Sequence, residues 1–173
     1  MNRIEKPAAG EYAPYFSLYI SKVPEAGLIL EYLENNRQVL LDIFQPLQAE
    51  QLAFRYAPGK WNLREMLVHI TDAERIFAYR ALCIARKDRV ALPGFDQDAY
   101  VLASGADARL MDNIIAEYVA VRESSILLFR GLDDNALWRT GFASNHSTSV
   151  RALAWIIAGH ELHHLELIRQ HYL

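Results

Sequence analysis

The chain reads as all-α, a four-helix bundle with long crossover loops. Three observations predict this. Four segments carry apolar residues at helical spacing. No stretch makes a convincing strand, and "FASNHSTS" (142–149) reads as polar turn material. The connections, roughly 15–20 residues each, exceed what simple up-down neighbours need.

Residues 1–24 are rich in Pro and Tyr and read as an arm packed on the bundle, with a short helix near residues 17–21. The first long helix runs from about residue 25 to Phe44 and stops near Pro46. The second begins after "APGK". Asn62 caps it and Glu65 reaches back, a capping box. Leu63, Met66, Leu67, Ile70, Ala73, Phe77, Ala81 and Ile84 then repeat with helical period. Arg86, Lys87 and Arg89 suit its C-terminus, where cations offset the helix dipole. The third helix starts near residues 104–107 and carries Ile114, Ile115, Tyr118, Val121, Ile126 and Phe129. Gly131 stands just past its end, where a left-handed residue is expected. The fourth starts near residues 147–149, a run of good capping residues, and continues to the C-terminus.

The 173 residues suit one domain, 1–173, with a real core. A net charge of −3 makes no electrostatic case for nucleic acid or an anionic membrane. The single cysteine, Cys83, cannot form an internal disulfide and reads as a small buried hydrophobe. The N-terminal "MNRIEKPAAGEY" lacks the apolar core of a secretion signal, and no apolar run approaches membrane-spanning length. The expectation is a soluble, cytoplasmic protein.

The fourth helix contains "AGHELHHLEL" (158–167), a literal H-E-x-x-H. Residues four apart share a helix face, so His160 and His164 project together. Leu153, Ile156, Ile157, Leu167 and Ile168 flank them on one apolar stripe, while His163 is offset by about 100°. Two readings of the pair stand open. Each imidazole is a core histidine satisfied by hydrogen bonds, or both ligate one cation.

A zinc-peptidase reading fails on context. Such enzymes need a third ligand, usually well downstream, and the chain continues only nine residues beyond His164. In the metzincin register, the glycine and third histidine positions hold Leu167 and Gln170. Glu161 reads as a solvated or hydrogen-bonded helix residue. A third ligand must come from upstream, where His69 and His146 remain. Antiparallel packing of the second and fourth helices brings His69 level with the pair. His146 lies about 20 Å of helix rise from His160 and is the weaker candidate. Three histidines with open positions are the arrangement of a catalytic metal.

The stretches "RYAPGKWNLREMLVHITDAERIFAYRALCIAR", "PGFDQDAYV" and "SVRALAWIIAGHELHHLELI", with the "GEYAPY" arm, span most of the chain. Together they resemble the DinB/YfiT-like superfamily of metal-dependent enzymes. The resemblance implies a four-helix bundle whose three histidines, here His69, His160 and His164, hold one divalent metal. It also implies thiol-dependent S-transfer, with a low-molecular-weight thiol as co-substrate, or hydrolysis, and a homodimer. Zinc, nickel, iron and copper all suit imidazole donors. The expected partner is a small-molecule substrate, with no nucleic acid and no membrane. A thiol-dependent S-transferase is the first functional expectation. A metal-dependent hydrolase and a non-catalytic, metal-stabilised binding or dimerisation module are the alternatives. No catalytic residue is assigned.

Among other residues, Glu74 falls on the apolar face of the second helix and is expected to pair with Arg80 or Arg151, or else to support the site or act as a general base. Asp72 reads as solvated. Asp96 and Asp98 in "FDQD" are expected to cap or brace the third helix. Trp61, Trp138 and Trp155 read as core, and Phe95 and Tyr100 as possible pocket residues.

Overall fold

The computed structural model describes residues 3–173. Four long helices form the bundle: α2 (Ile29–Phe44), α4 (Leu63–Ala85), α6 (Met111–Arg130) and α8 (Val150–His171). Shorter pieces connect them: α1 (Ser17–Ile20), α3 (Ala49–Ala53), α5 (Gln97–Ala103), α7 (Asp134–Leu137) and the strands β1 (Thr140–Ala143) and β2 (His146–Ser149).

The lateral order is not the chain order. α4 packs against α6 and α8, and α2 packs against the same two helices. Successive long helices α2 and α4 therefore lie across a diagonal, as do α6 and α8. Cross-links give the directions. Asn62 bonds Asp107 and Glu74 bonds Arg122, so α4 and α6 run parallel. Tyr172 at the end of α8 donates to the carbonyl of Trp61 before α4, so α8 runs antiparallel to α4. Parallel and diagonal successors both demand crossover connections, which accounts for the long loops.

Two apolar clusters fill the bundle. One gathers α1, the start of α2, the second half of α4 and the first half of α8. The other gathers the end of α2, the first half of α4, α6 and the end of α8. Where they meet, a buried polar layer crosses the bundle: His69, Glu74, Arg122, His160, Glu161 and His164.

The N-terminal arm contacts α8. The indole of the fully buried Trp155 donates to the carbonyl of Ile4 at 3.0 Å, and Arg151 pairs with Glu11. α1 crosses α8 at Gly159, where a Cβ would stand 2.1 Å from the Tyr19 carbonyl oxygen. A glycine inside a helix costs stability, and here it admits a neighbouring backbone.

Several expectations are corrected. The "FASNHSTS" segment is most of a β-hairpin: Thr140 pairs with Ser149 and Ala143 with His146. Ser144 and Asn145 both have positive φ, 50° and 64°, the backbone a two-residue hairpin turn requires. α2 begins at Ile29, not residue 25, because Gly27 turns left-handed (φ 73°) to receive the Ile4 N–H on its carbonyl. Residues 97–103 form their own helix, α5, and α6 begins only at Met111. Asp96 caps α5 by accepting from the N–H groups of Asp98 and Ala99. Gly131 is right-handed (φ −84°), its N–H still bonded to Leu127 and Leu128. The left-handed stop belongs to Lys87 (φ 65°) after α4, where the Lys87 and Asp88 N–H groups bond back to Ile84 and Cys83. Trp138 is exposed and lies over the Arg151 guanidinium, whose central carbon is 3.4 Å from the ring centroid. Cys83 is only half-buried, as is Asp72, which pairs with Arg75. No helix among the described residues is long and apolar enough to cross a membrane.

Candidate metal centre

The start of α4 and the end of α8 are fastened together. Asn62 accepts from the Glu65 N–H at 3.0 Å and Glu65 accepts from the Asn62 N–H at 2.8 Å, the capping box read from the sequence. Arg55 braces Glu65, and the Tyr172 hydroxyl reaches Trp61. This register puts His69, two turns into α4, level with His160 and His164 in α8.

The three imidazoles converge. His69 Nε2 lies 3.0 Å from His160 Nε2, and His164 Nε2 lies 3.1 Å from the same atom. One donor atom from each residue lies within 4.8 Å of the others. All three side chains are buried. Burial holds each in its neutral form: His69 is pushed down to about 4, and His160 and His164 well below the usual histidine value. For His160, the neighbouring histidines add to the effect of burial.

Hydrogen bonding alone does not satisfy this cluster. An Nε2 atom carries one N–H or one in-plane lone pair, not both. His160 Nε2 faces two nitrogens at bonding distance, so it makes at most one good N–H···N bond. His164 Nδ1 is also buried without a partner. With their protons on Nδ1, the three neutral imidazoles aim converging Nε2 lone pairs at one point, an arrangement that fits a divalent cation.

Aromatic rings wall the cluster. Trp61 lies 4.6 Å from the His69 ring, Tyr19 lies edge-on 5.2 Å from His160, and Phe77 lies 6.0 Å from His160. Two cavities open onto it. One, of about 320 Å³, exposes His69 and His160 between Phe16, Phe77, Phe95 and Arg80. The other, of about 330 Å³, exposes His164 between Tyr56, Trp61 and Tyr172. Gln97 of α5 borders both. Phe95 thus lines a cavity as expected, with Tyr100 packed 5.4 Å behind it.

The other candidates are elsewhere. His146 is exposed on the hairpin, its Nδ1 2.8 Å from the Ser144 carbonyl. His163 packs on Tyr19 at the edge of the site. Glu161 is buried and hydrogen-bonded, and it is not a member of the histidine cluster. It accepts from Arg122 Nη1 at 2.8 Å and from the Tyr118 hydroxyl at 2.5 Å. Glu74 pairs with Arg122, not with Arg80 or Arg151, through Nε at 3.0 Å and Nη2 at 2.8 Å. Arg122 has zero exposure, and its flanking glutamates raise its pKa against the desolvation that lowers it. Sequence reasoning missed Arg122. The signal was present, since Arg122 falls on the apolar stripe of Ile114, Tyr118, Ile126 and Phe129.

An all-α bundle with a buried three-histidine cluster between its second and fourth long helices defines a class of protein. The profile of the DinB superfamily matches residues 32–168, and the chain belongs to that superfamily. A protein of Oceanobacillus iheyensis named "Putative metal-dependent hydrolase OB0413" is 26% identical over 145 residues, covering 81% of each chain. Among solved structures, YfiT from Bacillus subtilis superposes with a TM-score of 0.74 at 17% identity, over 96% of this chain and 93% of YfiT. YfiT is described as "a probable metal-dependent hydrolase with an unusual four-helix bundle topology". That likeness establishes the four-helix-bundle fold.

Proposed function

We propose that His69, His160 and His164 hold one divalent metal ion, zinc, nickel or iron, and that the protein is a metal-dependent enzyme acting on small molecules. The observation that carries this is the meeting of three buried Nε2 atoms at 3.0 and 3.1 Å. The names of the relatives in Oceanobacillus and Bacillus point the same way. When bound, such an ion lowers the pKa of a coordinated water or thiol and supplies a nucleophile near neutral pH.

The chain's own residues supply the rest. Neutral imidazoles leave the charge of a divalent ion uncancelled, which favours an anionic nucleophile. Phe16, Tyr19, Trp61 and Phe77 exclude bulk water and strengthen electrostatics at the cluster. Glu161, held by Arg122 and Tyr118, does not serve as a general base.

Transfer of a low-molecular-weight thiol to an electrophile is the reading we favour. Two cavities meeting at one cluster suit two reactants approaching from different sides. Hydrolysis, in which water takes the place of the thiol, is the second reading, and the relatives' names support it.

The test begins with metal analysis of tag-free protein by inductively coupled plasma mass spectrometry, wild type against His164→Ala. The expected result is about one divalent ion per chain, lost in the variant. No metal in the wild type after incubation with zinc, nickel or iron overturns the reading. Metal-loaded protein is then assayed on activated esters and alkyl halides with and without thiol. Turnover that requires thiol supports transfer, and turnover without it supports hydrolysis.

A further inference from the structure

Arg80 is a buried cation without an anion. Its residue exposure is 3%. The other buried arginines are neutralised, Arg122 by Glu74 and Glu161 and Arg151 by Glu11. Arg80 has only neutral partners among the described residues. Its Nη2 donates to the Pro93 carbonyl at 2.6 Å and the Ser144 hydroxyl at 3.0 Å. These two bonds tie α4 to the loop before α5 and to the turn of the hairpin, and they fix the guanidinium plane. Nε and Nη1 make no hydrogen bond among the described residues, neither is a fully buried unpaired atom, and Arg80 lines the cavity that His69 and His160 share.

Burying a charge without a counter-ion is expensive. A purely structural tie between loops would work as well with a neutral amide. An arginine stays charged under all ordinary conditions, so the cavity carries a permanent positive end.

The same cavity reaches the histidine cluster, with His69 and His160 in its wall. Phe77 spans the gap. Its ring centroid lies 5.7 Å from the guanidinium carbon of Arg80 and 6.0 Å from the His160 ring. Phe16, Tyr19 and Phe95 add further aromatic rings to the cavity wall. A cation, an aromatic sleeve one ring long and a reactive cluster in series describe an amphipathic ligand: an anionic head, an apolar or aromatic body and a reacting tail.

We propose that Arg80 binds the oxyanionic group, a carboxylate or a phosphate, of a small aromatic or apolar substrate whose reacting end lies at His69 and His160. The assignment rests on the reading of the histidine cluster as the catalytic centre. It makes Arg80 a binding and orienting residue, one that selects anionic substrates and holds them in register.

The test uses three probes of matched shape: 3-phenylpropanoate, 2-phenylethyl phosphate and the neutral 3-phenylpropanamide. Each is titrated into isotope-labelled full-length protein and followed by nuclear magnetic resonance. Wild type, Arg80→Gln and His164→Ala are compared, each metal-free and zinc-treated. One or both anions are expected to bind wild type about tenfold or more tightly than the amide, the scale of a charge-assisted hydrogen bond. Which anion wins distinguishes carboxylate from phosphate substrates. The preference disappears in Arg80→Gln and persists in metal-free protein and in His164→Ala. Should Arg80→Gln not fold, the wild-type Nε–H resonance of Arg80 decides alone, because it must move with the anion and not with the amide. Three results overturn the proposal: equal binding of anions and amide by wild type, an unmoved Arg80 resonance, or a preference lost in His164→Ala but kept in Arg80→Gln. The last would mean that the anion sits on the histidine cluster. Failure to bind zinc, nickel or iron would overturn the metal reading and leave the Arg80 comparison intact in the metal-free arm.

Discussion

Arg122 Nη1 donates to Glu161 Oε2 at 2.8 Å while the rest of the same guanidinium holds Glu74. The glutamate of an H-E-x-x-H helix is thereby turned into the bundle and away from the histidines. In a zinc peptidase that glutamate is the general base; here it is one of two carboxylates on a buried guanidinium. Arg122→Met should cost about 3–5 kcal/mol in urea unfolding, because it strands two buried carboxylates. Glu161→Gln should retain one metal per chain with reduced stability. A folded Glu161→Gln protein that no longer binds metal would contradict this assignment.

Zinc should stabilise the wild type against heat by an amount that grows with free zinc, about 4 kcal/mol at a thousand times the dissociation constant. His69→Ala, His160→Ala and His164→Ala should each abolish the gain. His146→Ala, on the exposed hairpin, should retain it in full. Differential scanning calorimetry at fixed zinc separates these cases.

Gly159→Ala and Gly131→Ala should differ sharply. At Gly159 a Cβ would collide with the Tyr19 backbone at 2.1 Å, so α1 must move and Tyr19 must leave His160. A loss of about 1–3 kcal/mol or more is expected, the scale of overpacking. At Gly131 φ is −84° and the nearest atom, the Leu127 oxygen, lies 3.4 Å from a Cβ. Alanine there should be neutral or stabilising by up to about 1 kcal/mol, through a less flexible unfolded chain. Denaturant midpoints of the two variants measure both.

The ion pair between Glu11 and Arg151 should make the arm's attachment pH-dependent. The Arg151 hydrogen bonds hold the Glu11 carboxyl down at about 2, from a usual 4.5. A depressed folded pKa contributes stability above the unfolded value and loses it as pH falls toward the folded one. The stability difference between wild type and Glu11→Gln should be constant above pH 5. It should shrink by on the order of 2 kcal/mol between pH 4.5 and pH 2. Urea titrations of both proteins across that window check it, and a pH-independent difference would contradict it.

Much of the site was legible because it is local. The spacing of His160 and His164 on an apolar stripe depends only on helix geometry, and so does the capping box of Asn62 and Glu65. His69 followed from one further assumption, antiparallel packing of two helices. The four long helices were legible for the same reason: each carries its period within its own residues.

Periodicity within each segment is therefore enough to give the helices and the residues that each turns inward. Tertiary structure decided how those faces meet. Glu74 chose Arg122, from a helix beside it, because α2 and α4 lie diagonally and α6 fills the space between them. No period within one segment encodes lateral order. The four-residue strands β1 and β2 are too short to show alternation and exist because a left-handed turn at Ser144 and Asn145 closes them. Arg80 looked like a partner for Glu74 and instead stands alone at the end of a cavity. Periodicity is a property of one segment; charge pairing and cavities belong to several, and only the folded chain brings those together.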